Sequence, residues 1–111
     1  SPEETKECAH LIAQEIKKSG APKRPLVIAL RGELGSGKTT FAQTLLKELG
    51  VREHVTSPTF VLMKKYKIKK PYQCAVHIDA YRLRSPEDAK ELGIETIVEN
   101  KTGVLISEIN K

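Results

Sequence analysis

The run "LVIALRGELGSGKTTF", residues 26–41, constrains this chain more than any other stretch. Its first five residues, Leu26 to Leu30, are apolar without alternation, the composition of a strand buried on both faces of a parallel sheet. A glycine-rich loop follows at once. After it, "KTTFAQTLLKELG" repeats Phe41, Leu45, Leu46 and Leu49 at helical spacing and stops at Gly50. The loop residues Gly32, Glu33, Leu34, Gly35, Ser36, Gly37, Lys38 and Thr39 match GxxxxGK[ST] at each fixed position, in the strand-to-helix context that gives the pattern meaning. Glycines let the backbone curl so that successive N–H groups point inward at phosphate oxygens, and the helix dipole adds to the attraction. In this geometry Lys38 reaches the β- and γ-phosphates and the Thr39 hydroxyl meets Mg²⁺. The loop therefore predicts a nucleoside triphosphate site.

The flanking segments predict an α/β fold of P-loop NTPase type, with a mostly parallel sheet between helices and one β-hairpin. "SPEETKECAHLIAQEIKKSG" opens on a capping-box pattern, Ser1 and Glu4 with Pro2 between them. It then spaces Ala9, Ile12, Ala13 and Ile16 along one helical face. "TFVLMKKYKI" and "QCAVHIDAY" both have strand character, and "KKPY" between them suits a hairpin. "SPEDAKELG" starts another helix with Ser85 as cap and Glu87 and Asp88 in the first turn. "IETIVEN" is a further short helix, and "KTGVLISEI" returns to a buried strand. With 111 residues and no repeats or linkers, the chain is expected to be one domain.

Phosphoryl chemistry needs more than a phosphate cradle: it also needs a carboxylate for the metal and a group that positions the acceptor. "HIDAYR" and "LISEI" supply the candidates. On a strand His77, Asp79 and Tyr81 point to one face. Three polar side chains after the apolar "CAV" mark a strand end that opens into a site. Asp79 is placed to hold Mg²⁺ directly or through water, and His77 to orient a phosphate or water. Glu108 ends an apolar run, the position of a metal-binding acid beside a P-loop. "VTSPTF", residues 55–60, offers Ser57 and Thr59 around the stiff Pro58, in the place of a segment that senses the γ-phosphate.

Charge and cysteine content narrow the setting. The net charge is +5, and residues 64–70, "KKYKIKK", hold five lysines. That run reads either as a polyanion contact, such as RNA, or as a lysine-guarded strand edge. Cys8 and Cys74 are far apart and outside any CxxC pattern, which argues against a disulfide framework or zinc site and for a reducing compartment. The N-terminal "SPEETKE" lacks the regions of a signal peptide, and no apolar run approaches the length of a membrane helix. A cytoplasmic location is expected.

"LRGELGSGKTTF", "VTSPTF", "HIDAYRL" and "ELGIE", in this order and spacing, together resemble the bacterial TsaE (YjeE) family over nearly the whole chain, from Thr5 to Glu108. The resemblance implies an ATPase subunit, weakly active alone, that binds ATP and Mg²⁺. It implies that this subunit works with the threonylcarbamoyl-transferase subunits that modify adenosine 37 of tRNA. It also implies that hydrolysis resets that complex between turnovers. By matching position it assigns the phosphates to residues 32–40, including Thr40. It further assigns the metal to Thr39 and Glu108, a catalytic place to Asp79, and a nucleotide contact to Thr5. Two departures stand out. The family usually has tryptophan after the acid where this chain has Ile109, and it usually continues for some tens of residues beyond this point. The chain is therefore expected to be C-terminally truncated relative to the family. Two other readings share the P-loop: a small-molecule or nucleoside kinase, for which only Arg82 and Arg84 cluster after the loop, and a non-hydrolysing nucleotide-gated interaction module.

Overall fold

The computed structural model describes residues 1–31, 37–53, 55, 63–79 and 85–109. Helix α1 (Pro2–Lys18) begins with the predicted capping box. The Ser1 hydroxyl accepts from the Glu4 N–H, and the Glu4 side chain reaches back to the cap backbone. Strand β1 (Leu26–Arg31) leads toward α2 (Lys38–Glu48). Strands β2 (Met63–Lys67) and β3 (Cys74–Asp79) form the predicted antiparallel hairpin. Helices α3 (Pro86–Leu92) and α4 (Ile94–Glu99) follow, with Ser85 Oγ accepting from the Asp88 N–H at the start of α3. Strand β4 (Gly103–Ile109) then inserts between β1 and β3, parallel to both, giving the sheet order β1-β4-β3-β2.

Alternation along the strands divides the core in two. On one face Ala75, Val104, Ile106 and Tyr66 pack with Ala9, Ala13, Ala42, Leu45, Leu46 and Leu49 of α1 and α2. On the other, Val76, Ile78 and Leu105 pack with Met63 and with Ile94 and Ile97 of α4. His10 Nδ1 and Glu48 Oε1, 2.8 Å apart, tie α1 to α2 at the surface.

Strand β1 differs from its sequence expectation. Among the described strands it lies at the edge, and its burial alternates: Leu26, Ile28 and Leu30 pack toward α1 and α2, while Val27 is 54% exposed. The reason is coverage. Helix α4 lies over the β3–β4 part of that face, and no described element packs over β1 there. A continuous apolar run is compatible with burial on both faces, but only neighbouring elements supply it.

Candidate functional site

The three parallel strands share a direction, so their carboxyl ends lie along one edge of the sheet, where α/β folds place their ligands. Leu30, Glu108 and Asp79 form one registered row across β1, β4 and β3 at this edge. Leu30 packs toward α1 and α2, and residues in register on parallel strands share a face. Glu108 and Asp79 therefore stand on the α2 side. Glu108 is only 7% exposed.

Helix α2 starts at the same edge. Its N-cap, Gly37, has φ 97° and no side-chain cap, and the helical ladder begins with the Phe41 N–H donating to the Gly37 carbonyl at 2.9 Å. The amides ahead of that bond, those of Lys38, Thr39 and Thr40, carry the positive end of the helix dipole. Lys38, the first helical residue, is only 8% exposed, a rare degree of burial for lysine. Thr39 and Thr40 beside it are half-buried.

Thr5 of α1 closes this corner. A Cβ at Gly37 would stand 3.3 Å from Thr5 Oγ1 and 3.7 Å from its Cγ2. Glycine is favoured there by its left-handed φ, and a Cβ would also press on the threonine against it. The resemblance assigned Thr5 a nucleotide contact; the structure places its side chain against Gly37.

His77 points into the protein. It is fully buried, and its Nε2 lies 2.6 Å from Glu108 Oε2, which joins neighbouring strands beneath the edge. His77 thus contacts the carboxylate of Glu108 at this edge. Among the described residues no group of three His, Cys, Asp or Glu side chains could hold a metal by itself.

Several expected residues lie outside the described ones: Gly32, Glu33, Leu34, Gly35 and Ser36 of the loop, Ser57, Pro58 and Thr59, and Tyr81, Arg82 and Arg84. Two links had no sequence signal. One is the His77–Glu108 contact. The other is the bond from Gln43 Nε2 to the Val55 carbonyl at 2.8 Å, which fastens α2 to the start of the "VTSPTF" segment. The lysine run does not form one stripe. Lys64 stands on the α2 face near the Tyr66 ring, whereas Lys65 and Lys67 alternate to the other face. The Lys69 stem lies against Gly50. Lys67 and Lys70 join Lys17 around a hollow of about 870 Å³ at the sheet end opposite the phosphate edge.

Known proteins share both sequence and fold with this chain. The family model "Threonylcarbamoyl adenosine biosynthesis protein TsaE" matches residues 1–111. A Rickettsia felis protein named tRNA threonylcarbamoyladenosine biosynthesis protein TsaE is 40% identical over 94 residues, covering 84% of this chain and 50% of the relative. Proteins of the same name from Rickettsia bellii and Bacillus subtilis are 39% and 36% identical, covering 100% and 86% of this chain and 73% and 54% of theirs. The chain thus spans about half the length of several curated relatives it matches. The crystal structure of Bacillus subtilis YdiB superposes with a TM-score of 0.58 at 29% identity, over 96% of this chain and 59% of that one. Among the described residues no helix is long and apolar enough to cross a membrane. The P-loop-like fold and the match along the whole sequence agree: the chain belongs to the TsaE family.

Proposed function

We propose that residues 1–111 act as one ATP-binding and ATP-hydrolysing domain that supports threonylcarbamoyl modification of adenosine 37 in tRNA, in the cytoplasm and together with the transferase subunits. The observation that carries this reading is the placing of two buried ionisable side chains: Lys38 at the start of α2, and Glu108 at the end of the strand beside β1. A lysine at the start of a helix and a carboxylate at the end of the neighbouring strand suit the two parts of a magnesium–triphosphate, the phosphates and the metal.

The residues fit that ligand. Lys38 and the first-turn amides of α2 bind the β- and γ-phosphates, with Gly32 to Ser36 completing the loop around them. Thr39 and Glu108 hold Mg²⁺, which when bound neutralises charge on the transferred phosphoryl group. Asp79, in register with Glu108, belongs to the catalytic site, and Thr5 braces the loop's exit and contacts the nucleotide.

Thermal unfolding with and without Mg-ATP tests the reading, in the wild type and in Lys38→Ala. Nucleotide at about 100 times its dissociation constant adds about 2.7 kcal/mol, a rise of several degrees for a chain this small. The rise is expected to vanish in Lys38→Ala. An unchanged rise in that variant would place the nucleotide elsewhere. Phosphate release beside the transferase subunits then checks hydrolysis.

A further inference from the structure

His77 is the least accessible ionisable group at the site, fully buried on β3, and its Nε2 meets Glu108 Oε2 at 2.6 Å. An ionised carboxylate only accepts hydrogen bonds, so the proton of this contact sits on the ring nitrogen Nε2. The other nitrogen, Nδ1, is buried and has no hydrogen-bond partner among the described residues. A histidine kept for packing alone ordinarily has both nitrogens satisfied, and exceptions call for a functional account. Here one ring nitrogen is committed to a carboxylate at the phosphate edge, and the other has no partner among the described residues.

The consequence for Glu108 is geometric. Its side chain has three rotatable bonds, and a carboxylate free to turn would present its oxygens in many directions. An N–H bond to Oε2 from the adjacent strand fixes the carboxylate plane, which leaves Oε1 in a set orientation. Hydrogen bonds of this kind to metal-binding carboxylates are a general device for orienting them. Ile106, in register with His77, is itself fully buried in the core shared with α1 and α2, so the ring is held on a rigid part of the sheet.

We propose that His77 is the positioning residue for Glu108: through Nε2 it presets the carboxylate that receives magnesium. The inference rests on the magnesium role given to Glu108 above. It assigns His77 a task in metal affinity and none in holding the nucleotide itself.

The test compares His77→Gln, which retains an N–H donor of similar reach, with His77→Met, which has similar length and no donor. Unfolding temperature is followed as magnesium is titrated into protein with saturating ATP, and again with ATP and EDTA. His77→Met is expected to raise the magnesium midpoint by about tenfold or more while the shift in EDTA stays at the wild-type value. His77→Gln is expected to restore most of the midpoint. A wild-type midpoint in His77→Met overturns the proposal, as does an equal loss with and without magnesium. Glu108→Gln separates the two levels. If it too keeps the wild-type midpoint, the metal role of Glu108 fails first. If it loses magnesium dependence while His77→Met does not, only the positioning role fails. A measurement on the wild type covers the case in which the methionine variant does not fold. The imidazole ¹⁵N signal of His77 Nε2 is expected to move when magnesium is added to the ATP-bound protein, and an unmoved signal overturns the proposal.

Discussion

Asp79 and Glu108 are in-register partners at the carboxyl ends of β3 and β4, two acids side by side on the face that carries α2. Glu108 is also bonded to His77, which lies on the same strand as Asp79. In the proposed site the pair divides the work: Glu108, beside β1, serves the metal, and Asp79, one strand further away, serves hydrolysis.

From this division, Asp79→Asn is expected to slow ATP hydrolysis by about 100-fold while nucleotide affinity stays within about threefold of wild type. Steady-state phosphate release and equilibrium binding, measured on the same preparation, check it. A parallel fall in both would make Asp79 a structural residue.

Gly37→Ala is expected to destabilise the protein by about 1–3 kcal/mol, since it forces a side chain into a left-handed conformation. Urea unfolding gives the number. Adding Thr5→Ala removes the oxygen that a new Cβ would crowd and leaves the backbone strain, so the double variant should recover only part of the loss. Full recovery would locate the whole effect in the threonine contact.

Two leucines on the helices give opposite expectations. Leu45 is fully buried under the sheet, and Leu45→Ala is expected to cost about 2–5 kcal/mol. Leu11 is 55% exposed on α1, and Leu11→Ala should stay within about 0.5 kcal/mol. Equal losses in urea titrations would mean that α1 docks with a different face.

The lysines of residues 64–70 make a graded prediction about tRNA. Lys67 and Lys70 share a hollow with Lys17, whereas Lys64 is turned to the α2 face. If this surface meets the phosphodiester backbone, Lys67→Gln and Lys70→Gln should each lower the slope of log affinity against log salt by about 0.7–0.9. Lys64→Gln should leave that slope unchanged. Filter or fluorescence binding across salt concentrations reads it.

Local signals were legible where local physics decides. Ser1, Pro2 and Glu4 write a helix start that the chain adopts, and the hairpin between the two strand-like runs forms as its spacing implies. What periodicity omits is which elements become neighbours. Leu26 to Leu30 are apolar enough for double burial, yet β1 lies at the edge of the described strands and Val27 is open. Glu108 was readable as an acid closing an apolar run. Its contact with His77, 31 residues away, depends on β4 lying beside β3, which neither segment encodes alone. The motif named the phosphate loop, but the tight fit of Thr5 against Gly37 emerges only once α1 has docked.

The sheet order also has a consequence for how the chain comes into being. Strand β4 is the last of the four to leave the ribosome, yet it lies between β1 and β3. Until it arrives, the phosphate strand and the hairpin have no common edge and remain two separate pieces. Closing them requires Leu26 to meet Val104 across most of the sequence, the kind of distant pairing that slows folding. The acid at the end of β4 therefore enters the site in the same event that completes the sheet. A nascent chain thus carries its glycine-rich loop for some time before the acid proposed to hold a metal stands beside it.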